Sequence, residues 1–382
     1  MVYQIPLFDL NFDEKEEQAV LEAIRSRWIS MGQRVQQVEE EFSRRLGVRH
    51  VIAVTNGTAA LHLALAGLEI RPGDEVIVPS LTFVATANAV RYVGATPVFA
   101  DIVGPHDLTI DPVDIERLVT KKTKAVMVMH YGGFACDMER IRAIAKKHRL
   151  FVVEDAAHAP DVMCRGKKLG VWGDAGAFSF FSNKNITCAE GGMVVTDDER
   201  AAQRIRLMRS HGMTTLSYER AKGHATKYDV LELGYNYRMD DVRAAILLSQ
   251  MEKLDEDRRK RNAVRRKYVQ ALSEVDELVI PFKDYPQETS NYIFPVLLKE
   301  GTSDQREELR QKLAEAGIQT SVHYPAVHRF AIYEPYRRPL PRTEFAADHL
   351  ITLPMFAGLR EEQVEYIVKI LKEGLVRYGQ PA

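Results

Sequence analysis

An apolar run in FSFFSNKNITCAEGGMVVT (178–196), Phe178 to Phe181, gives way to Ser182-Asn183-Lys184 before a second apolar run begins. If the first run is a strand, alternation sends Ser179 and Phe181 to one face and leaves Lys184 just past the strand end. A lysine there is ordinarily a surface residue snorkelling to water. Desolvated, the same amine loses proton affinity and becomes a nucleophile towards an aldehyde. In LFVVEDAAHAPDV (150–162) two acids, Glu154 and Asp155, close another apolar run. Such a carboxylate either caps the following helix or meets a cation, because burying it alone is expensive. In VTNGTAALHLALAGL (54–68), Asn56-Gly57-Thr58 turns a strand into a helix with Ala60, Leu61, Ala64, Leu65 and Leu68 on one face. Thr58 is then either a plain N-cap or part of an anion site, since the free N–H groups and dipole of a helix start favour phosphate.

A nucleophilic lysine, an acid for a protonated pyridine nitrogen and a helix-end anion site are the minimum set for pyridoxal phosphate: Schiff base, ring partner and phosphate cup. The pair Gly191-Gly192 is expected to turn the backbone tightly before MVVT. GYNYRMDD (234–241) carries two aromatics around an Asn, then an Arg, and by itself reads as a packed helix entry. GVWGDAG (170–176) has glycines without the G-x-G-x-x-G spacing and reads as a turn. With no P-loop either, a dinucleotide-binding oxidoreductase is excluded.

The elements that must position these residues are legible as a pattern. From about residue 50 to 200, short β-branched runs (HVIAV, EVIVPS, TPVFAD, AVMVMH, FVVEDAA) alternate with helical patterns. That alternation predicts an α/β fold with a mainly parallel sheet, whose sites lie beyond the carboxyl ends of the strands. A long helical stretch begins near Arg238 and bridges to a strand-like NYIFPVLL and two more helices, an α+β pattern. We therefore expect a large α/β domain over 1–250, N-terminal segment included, and a smaller C-terminal α+β domain over 251–382.

At 382 residues the chain can bury a sizeable core. Its 52 basic and 53 acidic side chains give a formal net charge of -1, so no global field favours nucleic acid or an anionic membrane. Three scattered cysteines, with no C-x-x-C pair and no histidine at ligand spacing, predict a reducing compartment and no metal. Without a signal-like N-terminus or an uninterrupted run of about 18 apolar residues, cytoplasmic and non-membrane is the expectation.

Four motifs in order, over almost the whole chain, resemble the DegT/DnrJ/EryC1/StrS family of sugar aminotransferases. The resemblance implies the fold-type I architecture of pyridoxal-phosphate enzymes, with a seven-stranded type of sheet, and a homodimer with shared active sites. Lys184 in SNKNIT corresponds to the Schiff-base lysine that also shuttles the proton, and Asp155 in EDAAHA to the partner of the pyridine nitrogen. His158 corresponds to a contact of the cofactor's phenolic oxygen and Phe83 in SLTFVATANAV to the aromatic on the ring face. Gly57, Thr58 and Ser179 correspond to the phosphate cup, and Asn236 of GYNYRM to a phosphate ligand from the other subunit. His323 and Tyr324 in SVHYPAVH match a motif near the substrate entrance.

The implied reaction moves the amino group of L-glutamate onto a keto group of a nucleotide-linked keto-deoxy sugar, the cofactor alternating between pyridoxal and pyridoxamine 5'-phosphate, for amino sugar and polysaccharide biosynthesis. A lysine at 184, where some members carry histidine and act as dehydratases, favours transamination. Alternatives on the same scaffold are a keto-cyclitol aminotransferase or a sugar dehydratase; a non-catalytic cofactor-binding regulator, the least favoured reading, would need an output module such as a helix-turn-helix or a basic extension, and none is read in this sequence. The stretch 211–230 is expected to line the sugar pocket.

Overall fold

The computed structural model describes residues 3–214 and 227–375. Seven strands form the main sheet, in the spatial order His50–Val54, Gly192–Thr196, Ala175–Ser179, Phe151–Asp155, Thr123–Met129, Glu75–Pro79 and Thr96–Ala100. Every neighbouring pair is parallel except the two made by Gly192–Thr196, which runs against both of its neighbours. The expected strands are therefore present, and Val, Ile, Ala and Met fill them because helices cover both faces.

Register brings the chemistry to one edge. Asp155 lies opposite Met129 on one side and Ala177 on the other, and Ser179 lies opposite Gly192. The carboxyl ends of the parallel strands and the amino end of the antiparallel one thus share an edge, as expected for an α/β sheet.

The apolar run at 178–181 is placed differently from expectation. The strand begins earlier, at Ala175, and ends at Ser179. The facing holds, however: Phe178 and Phe180 are buried against Phe42, with ring centroids 5.9 and 5.3 Å away, while Phe181 is exposed. Nor does the glycine pair supply the turn. Ala189 carries the positive φ of 69° in this loop, and Gly192 is required for another reason. A side chain at Gly192 would run into the backbone of Asn56 and Gly57.

The 32-residue helix Asp241–Leu272 is N-capped by the Asp240 side chain, which accepts from the Arg243 N–H. It leads to a three-stranded antiparallel sheet, Leu278–Val279, Phe294–Leu298 and Leu350–Leu353, with the helices Ser303–Glu315 and Glu361–Leu375 packed near it. Tyr268 stacks on Phe294 at 4.6 Å in this second core. Ile5 pairs with Ile318, and the Met355 N–H donates to Leu7, so the N-terminal segment is tied to this part of the chain. Among the described residues no helix is long and apolar enough to cross a membrane.

Candidate active site

A cavity of about 370 Å³ opens between the carboxyl edge of the main sheet and the C-terminal part of the chain. Gly57, Thr58, Phe83, Asp155 and His158 line it. So do Ser179, Lys184, His323 and Tyr324. Of the sequence-predicted residues, Asn236 alone is not among its lining.

The helix Gly57–Gly67 starts at the cavity wall. Its cap is Asn56, whose side-chain oxygen accepts from the Ala59 N–H at 2.8 Å. Thr58 is therefore not the cap, and the Gly57 and Thr58 N–H groups belong to the first turn, which has no intrahelical acceptors. A Cβ at Gly57 would lie 2.8 Å from the Cβ of Ser179, so glycine is what lets the helix start sit against the strand end. The result is a cradle of N–H groups and a hydroxyl suited to an anion.

Asp155 is buried at the neighbouring strand end. One carboxylate oxygen accepts from Thr86 Oγ1 at 2.8 Å and the other from the Ala157 N–H at 3.1 Å. Burial still raises its pKa above the ordinary carboxyl value, although these bonds and the charge of Lys184 act the other way. A cation entering the cavity would offset that cost.

Glu154, the other acid of the motif, faces away from this cavity and is fully buried. It accepts from the Gly170 and Gly173 N–H groups and pairs with His130 Nε2 at 2.9 Å. This carboxylate closes the GVWGDAG turn, which explains why two adjacent acids occur.

Lys184 lies half-buried in the loop after Ser179, at the cavity floor. Its N–H bonds back to the Phe181 carbonyl, and Asn185 Nδ2 holds the loop to the Ser290 carbonyl at 2.9 Å. The amine sits 4.3 Å from the Tyr292 ring centroid. Burial lowers its pKa from 10.5 to about 8, opposed in part by Asp155.

His158 is buried, stacks on Tyr292 at 4.2 Å and bonds with the Tyr324 hydroxyl at 2.9 Å. His323 Nδ1 lies 3.1 Å from Thr352 Oγ1, and burial lowers its pKa to about 4. Phe83 precedes the helix Val84–Tyr92, and its ring, more than half exposed, faces Tyr324 across 5.9 Å.

Asn236 is exposed and its backbone pairs with Ser210. The flanking Tyr235 and Tyr237 stack on each other at 4.9 Å and pack around His62. The two tyrosines of GYNYRM are thus structural, and they leave Asn236 turned away from its own chain's core. Of the stretch expected to line the sugar pocket, residues 215–226 lie outside the described residues.

Sequence reasoning did not find Tyr292, Thr86 or Asn183. Thr86 lies three residues beyond Phe83 in a motif already singled out, so helical spacing could have indicated it. Tyr292 and Asn183 carried no local signal. Asn183 Oδ1, in the cavity lining, is buried without a hydrogen-bond partner. An anion cradle, a buried acid wanting a cation, an amine of lowered pKa, an exposed aromatic face and an orphaned amide fit pyridoxal phosphate.

The family model of the DegT/DnrJ/EryC1/StrS aminotransferases matches residues 11–372. The spore coat polysaccharide biosynthesis protein SpsC of Bacillus subtilis (strain 168) is 38% identical over 378 residues, 97% of this chain and 96% of that protein. Among solved structures, Helicobacter pylori PseC, an aminotransferase involved in the biosynthesis of pseudoaminic acid, superposes with a TM-score of 0.91 at 29% identity, covering 99% of this chain and all of that one. Spr1654 from Streptococcus pneumoniae in its PLP form gives a TM-score of 0.91 at 26% identity and covers both chains fully.

Proposed function

The chain belongs to the DegT/DnrJ/EryC1/StrS aminotransferase family, whose members are pyridoxal-phosphate enzymes, and from that premise we propose that it transfers the amino group of L-glutamate to a keto group on a nucleotide-linked keto-deoxy sugar. The observation that carries this reading is the meeting of Lys184, Asp155 and the Gly57–Thr58–Ser179 cradle in one cavity. The part played by SpsC in spore coat polysaccharide biosynthesis and by PseC in pseudoaminic acid biosynthesis supports an amino sugar as product.

Bound pyridoxal phosphate supplies an electron sink, a protonated ring that takes up the electron pair left when a substrate carbon loses its proton. Asp155 would hold the ring nitrogen's proton, and that charge would in turn offset the burial of its carboxylate. Gly57, Thr58 and Ser179 would hold the phosphate, and Phe83 would cover the ring face. Lys184 would anchor the cofactor, and its amine, with its lowered pKa, would serve as the base that moves a proton at the substrate carbon. Asn236 reaches the phosphate in a second copy of the chain, so a homodimer holds two shared sites.

The test uses L-glutamate labelled with ¹⁵N. The purified protein with pyridoxal phosphate should show a visible band that glutamate discharges, and a nucleotide-linked keto-deoxy sugar should then emerge carrying the label. A deoxy sugar without nitrogen would identify a dehydratase instead. A band indifferent to glutamate would refute glutamate as donor.

A further inference from the structure

Both ring nitrogens of His158 are already engaged by the protein. Nδ1 accepts from the Gly132 N–H at 3.3 Å, and Nε2 lies 2.9 Å from the Tyr324 hydroxyl. The imidazole is buried, and that burial, with the nearby Lys184, His323 and His130, drives its pKa well below the ordinary value. A neutral imidazole that accepts at Nδ1 carries its single proton on Nε2. His158 therefore donates to the oxygen of Tyr324.

Tyr324 is left with its own O–H to give. Among the described residues its hydroxyl has no hydrogen-bond partner besides His158, and the side chain lines the cavity. The phenol keeps its proton, because burial and the neighbouring Tyr292, Tyr131 and Asp155 all raise its pKa. An oriented donor facing a cavity asks for an acceptor held inside it.

Besides the aldehyde, the cofactor brings three polar groups. Its phosphate is taken by the helix end and its ring nitrogen by Asp155, which leaves the phenolic oxygen beside the carbon that Lys184 binds. Tyr324 belongs to that neighbourhood: its hydroxyl bonds His158, His158 stacks on Tyr292, and Lys184 meets the Tyr292 ring. Resting on the pyridoxal-phosphate reading above, we propose that Tyr324 is the hydrogen-bond donor to the cofactor's phenolic oxygen and that His158 is a positioning residue acting through it. This departs from the resemblance, which puts His158 itself on that oxygen.

The experiment is a pH titration of the visible absorption band of the holoenzyme. Without its donor the phenolic oxygen keeps more negative charge and holds the shared proton more tightly, so the protonated form persists to higher pH. Tyr324→Phe should raise the midpoint by about one to two pH units, a ten- to hundredfold gain in proton affinity, as expected for one hydrogen bond to a charged group. His158→Ala should raise it less, and should add nothing in the Tyr324→Phe background, because its effect passes through the tyrosine. An unmoved midpoint in Tyr324→Phe overturns the proposal, as does a further shift when His158→Ala is added. If Tyr324→Phe does not fold, 3-fluorotyrosine at position 324 replaces it: the more acidic phenol is a stronger donor and should lower the midpoint, and no change overturns the proposal. A band missing from the unaltered protein overturns the pyridoxal-phosphate reading and this proposal with it, whereas a band that ignores Tyr324 overturns this proposal alone.

Discussion

The Lys184 amine lies 4.3 Å from the centroid of the Tyr292 ring, so its close neighbour is an aromatic face. Tyr292 is buried and its phenol is held neutral by a strongly raised pKa. The ring excludes water from the amine without offering the full negative charge that would keep a lysine protonated. With the pKa brought down to about 8, far more of the amine is neutral at physiological pH than in an ordinary lysine.

The first prediction follows from that pKa. In cofactor-free protein, the rate at which Lys184 captures pyridoxal phosphate should climb with pH through a midpoint near 8 and level off above it, since only the neutral amine attacks. Stopped-flow absorbance checks this. The same shift has a stability sign. The folded amine releases its proton near 8 and the unfolded one near 10.5, so the cost of burying the charged amine is present below 8 and fades as pH rises between the two. A capture midpoint near 10.5 would mean that the amine is fully hydrated.

Asp155→Asn is expected to keep the cavity and the cofactor but to lose the charge that, in the proposed reading, would hold the ring nitrogen's proton. The amide is isosteric, and its oxygen can still accept from Thr86 or Ala157. Losing one hydrogen bond between charged groups should lower kcat on the order of ten- to a hundredfold. Steady-state kinetics, with the visible band recorded alongside, separates this outcome from simple loss of cofactor.

Glu154→Ala should act on stability. It strands His130 Nε2 and the Gly170 N–H in a buried place and the Gly173 N–H in a half-buried one. At about 1–3 kcal/mol for each buried unsatisfied group, the loss should be at least about 2 kcal/mol. Urea denaturation measures it directly. An effect under about 1 kcal/mol would mean that the GVWGDAG turn does not depend on this carboxylate.

The sheet was legible in the sequence because its strands are continuous β-branched runs separated by helices, a pattern that buried parallel strands impose. Lys184, Asp155 and the Gly57–Thr58 turn were legible because a polar residue interrupts an apolar run at each of them. What escaped depends on contacts distant in sequence. Tyr292 reaches the cavity from more than 100 residues beyond Lys184, and nothing in SNYIF marks it. The cap fell to Asn56 and not Thr58 because the helix starts two residues earlier than its apolar face suggests. The hydrogen-bond polarity of the His158–Tyr324 pair depends on the Gly132 N–H, which no motif could supply.

The position of Asn236 leads to the last prediction. Tyr235 and Tyr237 turn inward around His62, and Asn236, exposed, does not line the cavity of its own chain. If it completes the phosphate site of a second copy, Lys184→Ala and Asn236→Ala each damage every site in a homodimer, but by defects lying on different chains at that site. In a hybrid dimer both defects fall on one site and the other is whole. Unfolding and refolding the two variants in equal amounts makes half the dimers hybrids. Half of the hybrids' sites are whole, so activity should return to about a quarter of the unaltered protein's. If Asn236 served only its own chain, the Lys184→Ala site of a hybrid would stay dead and the Asn236→Ala site would stay impaired. Mixing would then give no more than the mean of the two variants, and the shared site would be refuted.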